Sequence, residues 1–201
     1  MRIAFLRHGP TEWNAQGRFQ GHTDIPLSAE GLAKMRALRP PAPFDKARAF
    51  VSPLLRASQT ADALGLLNPA PDARLMEQNW GSWEGLTREQ IFARDGQDAF
   101  AKAGLTVQFN PPGGESTGQL HDRVAAFLKD AARDDSDAIA IAHLGVLRAA
   151  YTLASGWDMA TPMPPELDIS KVLVLEADAA GHCRLHALNL EFVTAPSFAR
   201  K

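Results

Sequence analysis

Two short apolar runs in this sequence each lead directly into a histidine. Residues 3–6 are separated from His8 by a single arginine, and residues 137–142 end immediately before His143. Buried strands of a parallel sheet have such continuous apolar runs, and ligands bind at the carboxyl ends of those strands. The repeated pattern therefore predicts an α/β fold in which two histidines lie at one edge of the sheet.

The rest of the chain alternates between strand and helix patterns. A first helix is expected to begin at Ser28, which is a good N-cap, and to stop before Pro40. Further strands are predicted at 47–51, 171–176 and 182–190, and further helices at 52–64, 87–103, 116–132 and 146–153. This order predicts a three-layer α/β/α sandwich with a mostly parallel central sheet, with one domain over 1–192 and a loose C-terminal tail over 193–201.

Composition narrows the possible partners and compartments. With 201 residues, of which 45% are hydrophobic, the chain can bury one substantial core. A net charge of -2 without a basic block argues against nucleic-acid binding. A single cysteine, Cys183, allows no intrachain disulfide, and no apolar run reaches the length of a membrane span or a signal peptide. We therefore expect a cytoplasmic protein without a membrane partner, as a monomer or a homodimer.

The Arg7-His8-Gly9 tripeptide is a weak motif alone, but it is followed by an ordered series of further sequence blocks. These blocks are residues 11–14, 17–21, 24–28, 52–61, 75–77, 81–85, 114–116, 123–124 and 142–148. Together they resemble the histidine phosphatase superfamily, also called the phosphoglycerate-mutase-like family, over roughly residues 1–190. The compact size and the ending of the chain are similar to those of α-ribazole phosphatases and broad-specificity relatives.

The resemblance implies a set of site residues. It implies that His8 is the nucleophile, that Glu77 is the general acid, and that Arg7, Arg56 and His143 complete the catalytic group. The phosphate-binding positions implied are Arg7, Asn14, Gly21, Arg56, His143 and Leu144. The mechanism implied needs neither a metal ion nor a cofactor.

The chemistry of phosphoryl transfer asks for the same residue types. Histidine attacks phosphorus only as a neutral imidazole, and nearby guanidinium groups disfavour its protonated form. Arginine binds phosphate oxygens through its planar fork and keeps its charge. Arg7 and Arg56 would thus bind the phosphate and also keep His8 in its neutral form.

The general acid has two candidates. Glu77 lies in the Leu75-Met76-Glu77 segment, where the resemblance places the acid, and Glu84 lies in the Trp83-Glu84-Gly85 turn. A carboxylic acid beside a bound phosphate dianion has a raised pKa, which suits proton donation. Glu77 is preferred by its position in the motif, and Glu84 remains the alternative.

Several positions depart from the pattern or have ordinary explanations. Leu144 stands where the family often has glycine, and Pro10 stands where an acidic residue is frequent. His22 fits an exposed loop better than a substrate contact. His182 and His186 lie on a predicted strand without a matching cluster of ligands, so a metal site is not expected there.

The sequence favours hydrolysis over phosphate transfer back to substrate. Mutases of this family carry a long insertion before the Gly114-Glu115 block, whereas the segment of about 86–113 is short here and is expected to form much of a substrate lid. The prediction is a phosphomonoester hydrolase (EC 3.1.3.-) acting on a small phosphorylated metabolite. A mutase-type phosphotransferase and a non-catalytic relative that binds phospholigands are the alternatives, and the choice among sugar phosphates, nucleotides and cofactor precursors stays open.

Overall fold

The structure is a computed structural model that describes residues 1–100, 108–159 and 161–195. The strands are β1 (Arg2–Arg7), β2 (Leu38–Arg39), β3 (Arg48–Val51), β4 (Ala70–Pro71), β5 (Ala138–Ala142), β6 (Val172–Ala177), β7 (Cys183–Leu190) and β8 (Val193–Thr194). The α-helices are α1 (Glu12–Ala15), α2 (Ala29–Arg36), α3 (Leu55–Ala63), α4 (Arg88–Asp95), α5 (Thr117–Ala131) and α6 (Leu144–Ser155).

Within these residues, six strands form the central sheet in the order β4-β3-β5-β1-β6-β7. The pairings of β1 with β5, of β3 with β5 and of β3 with β4 are parallel. β6 pairs antiparallel with β1, and the β6–β7 hairpin closes that edge. The predicted α/β fold with a mostly parallel sheet is thereby confirmed.

Each face of the sheet is covered by helices, which gives the three layers. Alternate residues of a strand point to opposite faces. Phe5 belongs to the apolar cluster that contains Phe127 of α5 and Leu147 of α6, while Leu6 belongs to the cluster that contains Ala61 of α3. The side chains of β1 thus join both halves of the core and hold the carboxyl end of this strand in place.

Helix boundaries follow local capping chemistry. The side chain of Ser28 accepts a hydrogen bond from the N–H of Gly31, as expected for the N-cap of α2. The prediction that the next helix begins at Ser52–Pro53 was wrong, because Leu54 is the N-cap and α3 begins at Leu55. The Ser52 hydroxyl instead contacts the side chain of His143, so Ser52 belongs to the connection from β3 to α3.

Two other predicted segments differ in extent. The helix predicted over 87–103 ends at Asp95, where Gly96 adopts a positive φ of 91°, and residues 101–107 lie outside the described residues. The tail predicted to be loose from Val193 begins as a short strand, since β8 pairs antiparallel with β2. This pairing satisfies the backbone groups of two segments that would otherwise be unpaired. Residues 196–201 lie outside the described residues.

Candidate active site

The two histidines of the sequence pattern meet at the carboxyl end of the sheet. β1 and β5 are parallel neighbours with Arg7 paired to Ala142, and the N–H of His8 donates to the carbonyl of Ala142 at 2.9 Å. The residue that follows each of these paired positions is a histidine, so His8 and His143 lie side by side. Their ring centroids lie 5.0 Å apart, and both side chains are buried.

The environment of His8 fixes both its charge and its tautomer. Its Nδ1 lies 2.7 Å from the carbonyl oxygen of Gly9, and because a carbonyl only accepts, Nδ1 carries the proton. Burial, followed by the positive charges of Arg7 and Arg56, lowers the pKa of His8 to about 3. His8 is thus a neutral imidazole near pH 7 with its lone pair on Nε2, the form that a nucleophile requires.

His143 is the N-cap residue of α6 and is fully buried. Its Nε2 lies 2.8 Å from Oγ of Ser52, whereas its Nδ1 is buried without a hydrogen-bond partner. Burial, together with the positive charges around the site, lowers the pKa of His143 well below its usual value. Sequence reasoning missed Ser52, whose only signal was its position directly after a strand.

Arg56 is held by backbone carbonyls rather than by a carboxylate. It is the second residue of α3 and is fully buried, and its guanidinium donates to the carbonyls of Thr23 at 3.1 Å and Gly21 at 2.7 Å. Burial lowers its pKa, although arginine keeps its proton near neutrality. Arg56 therefore retains its charge for an anion.

Gly21 supports this arrangement through its backbone. Its carbonyl accepts from Arg56, and a Cβ at this position would lie 1.9 Å from Oε1 of Glu84 and 2.8 Å from the backbone N of Trp80. The close approach leaves room only for glycine. The predicted contact between Gly21 and a phosphate stays a prediction.

Arg7 ends β1 and lines a cavity of about 300 Å³. Its Nε is buried without a hydrogen-bond partner, and burial lowers the pKa of its guanidinium. An unpaired, partly desolvated cation of this kind favours the binding of an anion. His8 and Glu77 line the same cavity.

Glu77 has the properties expected of a general acid. Its carboxylate accepts hydrogen bonds from the backbone N–H groups of Gln78 at 2.8 Å and Gly145 at 3.0 Å. Burial raises its pKa, and these bonds, with the charges of Arg56 and Arg7, offset that rise only in part. A carboxyl group with a raised pKa beside a neutral imidazole is the pairing that acid catalysis of phosphoryl transfer requires.

Glu84, the alternative acid, is committed to the loop that precedes it. It accepts hydrogen bonds from the backbone N–H groups of His22, Thr23 and Trp80 and from the Thr23 hydroxyl. Burial raises the pKa of Glu84, but these bonds together lower it below its usual value. A carboxylate held in its ionised form in this way is a poor proton donor.

His22 contacts the backbone of the acid-bearing segment. Its Nε2 lies 2.9 Å from the carbonyl oxygen of Glu77, opposite an N–H from Arg123 that reaches the same carbonyl at 3.1 Å. Arg123 is itself held by a salt bridge of 2.6 Å to Glu115. These contacts hold the backbone of Glu77 through its carbonyl oxygen.

The remaining predicted positions divide between the cavity and its surroundings. Asn14 and Leu144 line the cavity, while Gly21, Arg56 and His143 do not. The amide oxygen of Asn14 accepts from Thr11 at 3.0 Å, which leaves its NH₂ group as the donor for the cavity. Pro10 lines a second cavity of about 330 Å³, which Arg7, His8 and Asn14 also line, so this departure from the pattern adjoins the site.

No cluster of three or more His, Cys, Asp or Glu side chains that could hold a metal ion occurs within residues 1–100, 108–159 and 161–195. His186 lies on β7, as the strand pattern predicts, whereas His182 stands one residue before the strand begins and contacts Asp178 at 3.1 Å. In the same described segments, no helix is long and apolar enough to cross a membrane.

Comparison with known proteins gives the context for this geometry. The model of the histidine phosphatase superfamily (branch 1) matches residues 3–191. A 2,3-bisphosphoglycerate-dependent phosphoglycerate mutase from Gloeobacter violaceus is 34% identical over 57% of this chain, and the match spans 55% of that enzyme. An adenosylcobalamin/alpha-ribazole phosphatase from Salmonella typhimurium is 31% identical over 73% of this chain and 76% of its own length.

A solved structure shows the same fold at greater coverage. The mycobacterial glucosyl-3-phosphoglycerate phosphatase in complex with VO3 superposes with a TM-score of 0.76 at 26% identity, covering 94% of this chain and 99% of its own. The relatives thus include both phosphatases and mutases. A family match over nearly the whole chain, a shared fold and two histidines at the carboxyl ends of neighbouring strands lead to one assignment. The chain belongs to the histidine phosphatase superfamily, branch 1.

Proposed function

We propose that this protein is a phosphomonoester hydrolase (EC 3.1.3.-) that acts through a phosphohistidine on His8. The observation that carries the proposal is the hydrogen bond from Nδ1 of His8 to the Gly9 carbonyl, because it leaves the lone pair on Nε2 of a neutral ring. The substrate is a small phosphorylated metabolite. The relatives that are phosphatases support this reading.

In the first step, the lone pair of Nε2 attacks phosphorus and the bond from phosphorus to the ester oxygen breaks. The carboxyl group of Glu77 gives its proton to the departing oxygen, so the alcohol leaves neutral. Arg7 and Arg56 bind the non-bridging oxygens, whose charge must be stabilised throughout the transfer. His143 adds a donor from Nδ1 when the Ser52 hydroxyl donates to its Nε2.

In the second step, the Glu77 carboxylate takes a proton from water as the water oxygen attacks phosphorus. The phosphorus–nitrogen bond breaks, the electron pair returns to Nε2, and inorganic phosphate is released. Two guanidinium groups perform the charge stabilisation that a divalent cation performs in other phosphatases. The reaction therefore needs no metal.

The match to phosphoglycerate mutases makes phosphate transfer back to an organic acceptor the second candidate. We expect the segment of about 86–113 to distinguish the two, since a mutase must exclude water from the phosphohistidine. Ile91 and Phe109 of this segment pack with Trp83 in a small buried cluster. The short length of the 86–113 segment favours hydrolysis.

The test is hydrolysis of an aryl phosphate at pH 6 to 7 in the presence of a chelator, comparing the wild-type protein with folded His8→Ala. We expect chelator-resistant release of phosphate that disappears in the variant. Activity that survives the substitution would contradict His8 as nucleophile, and activity abolished by chelator would contradict metal independence. Transfer of phosphate to an added alcohol in place of release would support the mutase reading.

A further inference from the structure

The cavity that contains His8 carries more positive charge than one phosphoryl group requires. Arg7, Arg18, Arg88 and Arg148 line it, and the only carboxylate among its described lining residues is Glu77. In the proposed reaction, Arg7 and the buried Arg56 already neutralise a phosphate dianion. The other guanidinium groups are therefore available for a different purpose.

Two of these arginines are committed within the protein. Arg18 donates to the side chain of Gln16 at 2.7 Å and to the carbonyl of Gly85 at 2.5 Å. The guanidinium of Arg88 lies over the ring of Phe100, 4.7 Å from its centroid. Both have contacts that account for their positions.

Arg148 has weaker contacts, because its distance to an aromatic ring is longer than that of Arg88. Among the described residues it forms no ion pair, its Nε is buried without a hydrogen-bond partner, and its one recorded contact is with the face of Trp157 at 5.5 Å. Burial lowers the pKa of its guanidinium, and the negative charge of Glu77 offsets this only in part. Because a partly desolvated cation without a direct ion pair is costly, its position is better explained by an anion that arrives with the substrate.

The position of Arg148 on α6 indicates which part of the substrate it meets. It follows Gly145 by three residues, so both lie on one face of the helix, and helical side chains lean toward the helix N-terminus. The N–H of Gly145 holds the carboxylate of Glu77, which protonates the leaving oxygen. Arg148 thus lies on the leaving-group side of the cavity, about one helical turn from the Gly145 N–H that holds the acid.

We propose that Arg148 binds a second anionic group carried by the alcohol part of the substrate, a carboxylate or a second phosphate a few bonds from the ester oxygen. This inference rests on the proposed function, since it uses the same cavity and the same leaving-group side. Leu120 and Met159 also line the cavity, and apolar walls lower the local dielectric, which strengthens an ion pair. The substrate class is a phosphomonoester of an anionic alcohol.

The experiment compares matched pairs of probes that differ in one anionic group. Ethyl phosphate is paired with phosphoglycolate for the carboxylate, and propyl phosphate with 1,3-propanediol bisphosphate for the second phosphate. Binding is measured by calorimetry in a His8→Ala background, so that it does not depend on turnover, and kcat/KM is measured with His8 intact. Arg148→Met removes the charge, Arg148→Lys keeps it, and Arg133→Met is the control, because Arg133 is 72% exposed on the surface.

We expect at least one anionic probe to bind tenfold or more tightly than its neutral partner. Arg148→Met should reduce this preference to less than threefold, Arg148→Lys should retain part of it, and Arg133→Met should leave it unchanged. The pair that responds identifies the anion as a carboxylate or a phosphate.

Three outcomes would overturn the inference. These are the absence of any preference in the parent protein, a preference that survives Arg148→Met, and an equal loss for charged and neutral probes, which would show that Arg148 acts through Glu77 or the fold. Failure of the proposed function is seen separately, as absent turnover of every probe, while the binding preference in the His8→Ala background still decides the role of Arg148.

Discussion

The backbone N–H of Gly145 donates to both carboxylate oxygens of Glu77, at 3.0 Å to Oε1 and 3.2 Å to Oε2. A Cβ at position 145 would lie 2.3 Å from Oε1, so any other residue must displace the carboxylate. The first turn of α6 therefore fixes the position of the Glu77 carboxylate.

Gly145→Ala should reduce catalysis without unfolding the protein. We expect kcat for an alkyl phosphate to fall about 100-fold, the scale at which a misplaced acid group affects proton transfer, with a smaller effect on an aryl phosphate whose leaving group needs less protonation. Steady-state kinetics on both esters and thermal unfolding check this. Equal losses on the two esters would point to general damage instead of a displaced acid.

Substitution of Glu77 and of Glu84 by glutamine should have different effects on activity. Glu77→Gln removes the proposed proton donor, so hydrolysis of alkyl phosphates should fall about 100-fold to 10,000-fold. Its unfolding free energy should not fall at pH 7, because the carboxyl is buried and its pKa is raised in the folded state. Glu84→Gln is the matched control, with activity retained.

Glu84→Gln should also change the pH dependence of stability. The pKa of Glu84 is lowered in the folded state, so this group stabilises the fold above its unfolded pKa of roughly 4.3, and that contribution is lost as the pH falls through the folded value. Denaturant unfolding at pH 7 and at pH 3.5 measures it. A variant whose stability changes with pH as steeply as that of the wild type would contradict the assigned role.

The neutral state of the two histidines predicts acid lability. Because the folded-state pKa of His8 is about 3 and that of a free histidine is about 6.5, the unfolded chain binds more protons between these values. Stability should thus fall with decreasing pH below 6.5, by about 1.4 kcal/mol per unit for each such histidine. The slope should be smaller in His8→Asn and in His143→Asn, as measured by urea unfolding from pH 7 to pH 4.5; unchanged slopes would show that these rings titrate normally.

Arg56→Lys tests whether the guanidinium fork matters beyond its charge. Lysine cannot reach the carbonyls of Gly21 and Thr23 and a phosphate together, so we expect kcat/KM to fall about 100-fold. Arg39→Lys is a control outside the cavity, on β2. An active Arg56→Lys enzyme would mean that a point charge is sufficient at this position.

The sequence predicts those features that depend on local pattern. The strand before His8, the N-cap at Ser28 and the amphipathic helix α5 each have a signal within a few residues, and the structure confirms them. The carboxyl ends of parallel strands adjoin by topology, which is why His8 and His143 could be placed together in advance.

Features that depend on long-range contacts had no such signal. The contact of Ser52 with His143 joins residues that are 91 positions apart, and the hydrogen bonds of Arg56 reach carbonyls more than 30 positions away. The unpaired state of Arg148 becomes visible only when its surroundings are known. β8 was missed because a strand of two residues has no periodicity to detect.

Because Arg7 pairs with Ala142, the relative position of the two histidines depends on the number of residues in β1 and β5. A deletion or insertion of one residue in either strand would shift its histidine by about 3.3 Å and turn the preceding side chains to the opposite face. The spacing between the rings of His8 and His143 is thus set by the length of the two strands. Variants with buried side chains of similar volume can keep this spacing, but a change in strand length requires both strands to change together.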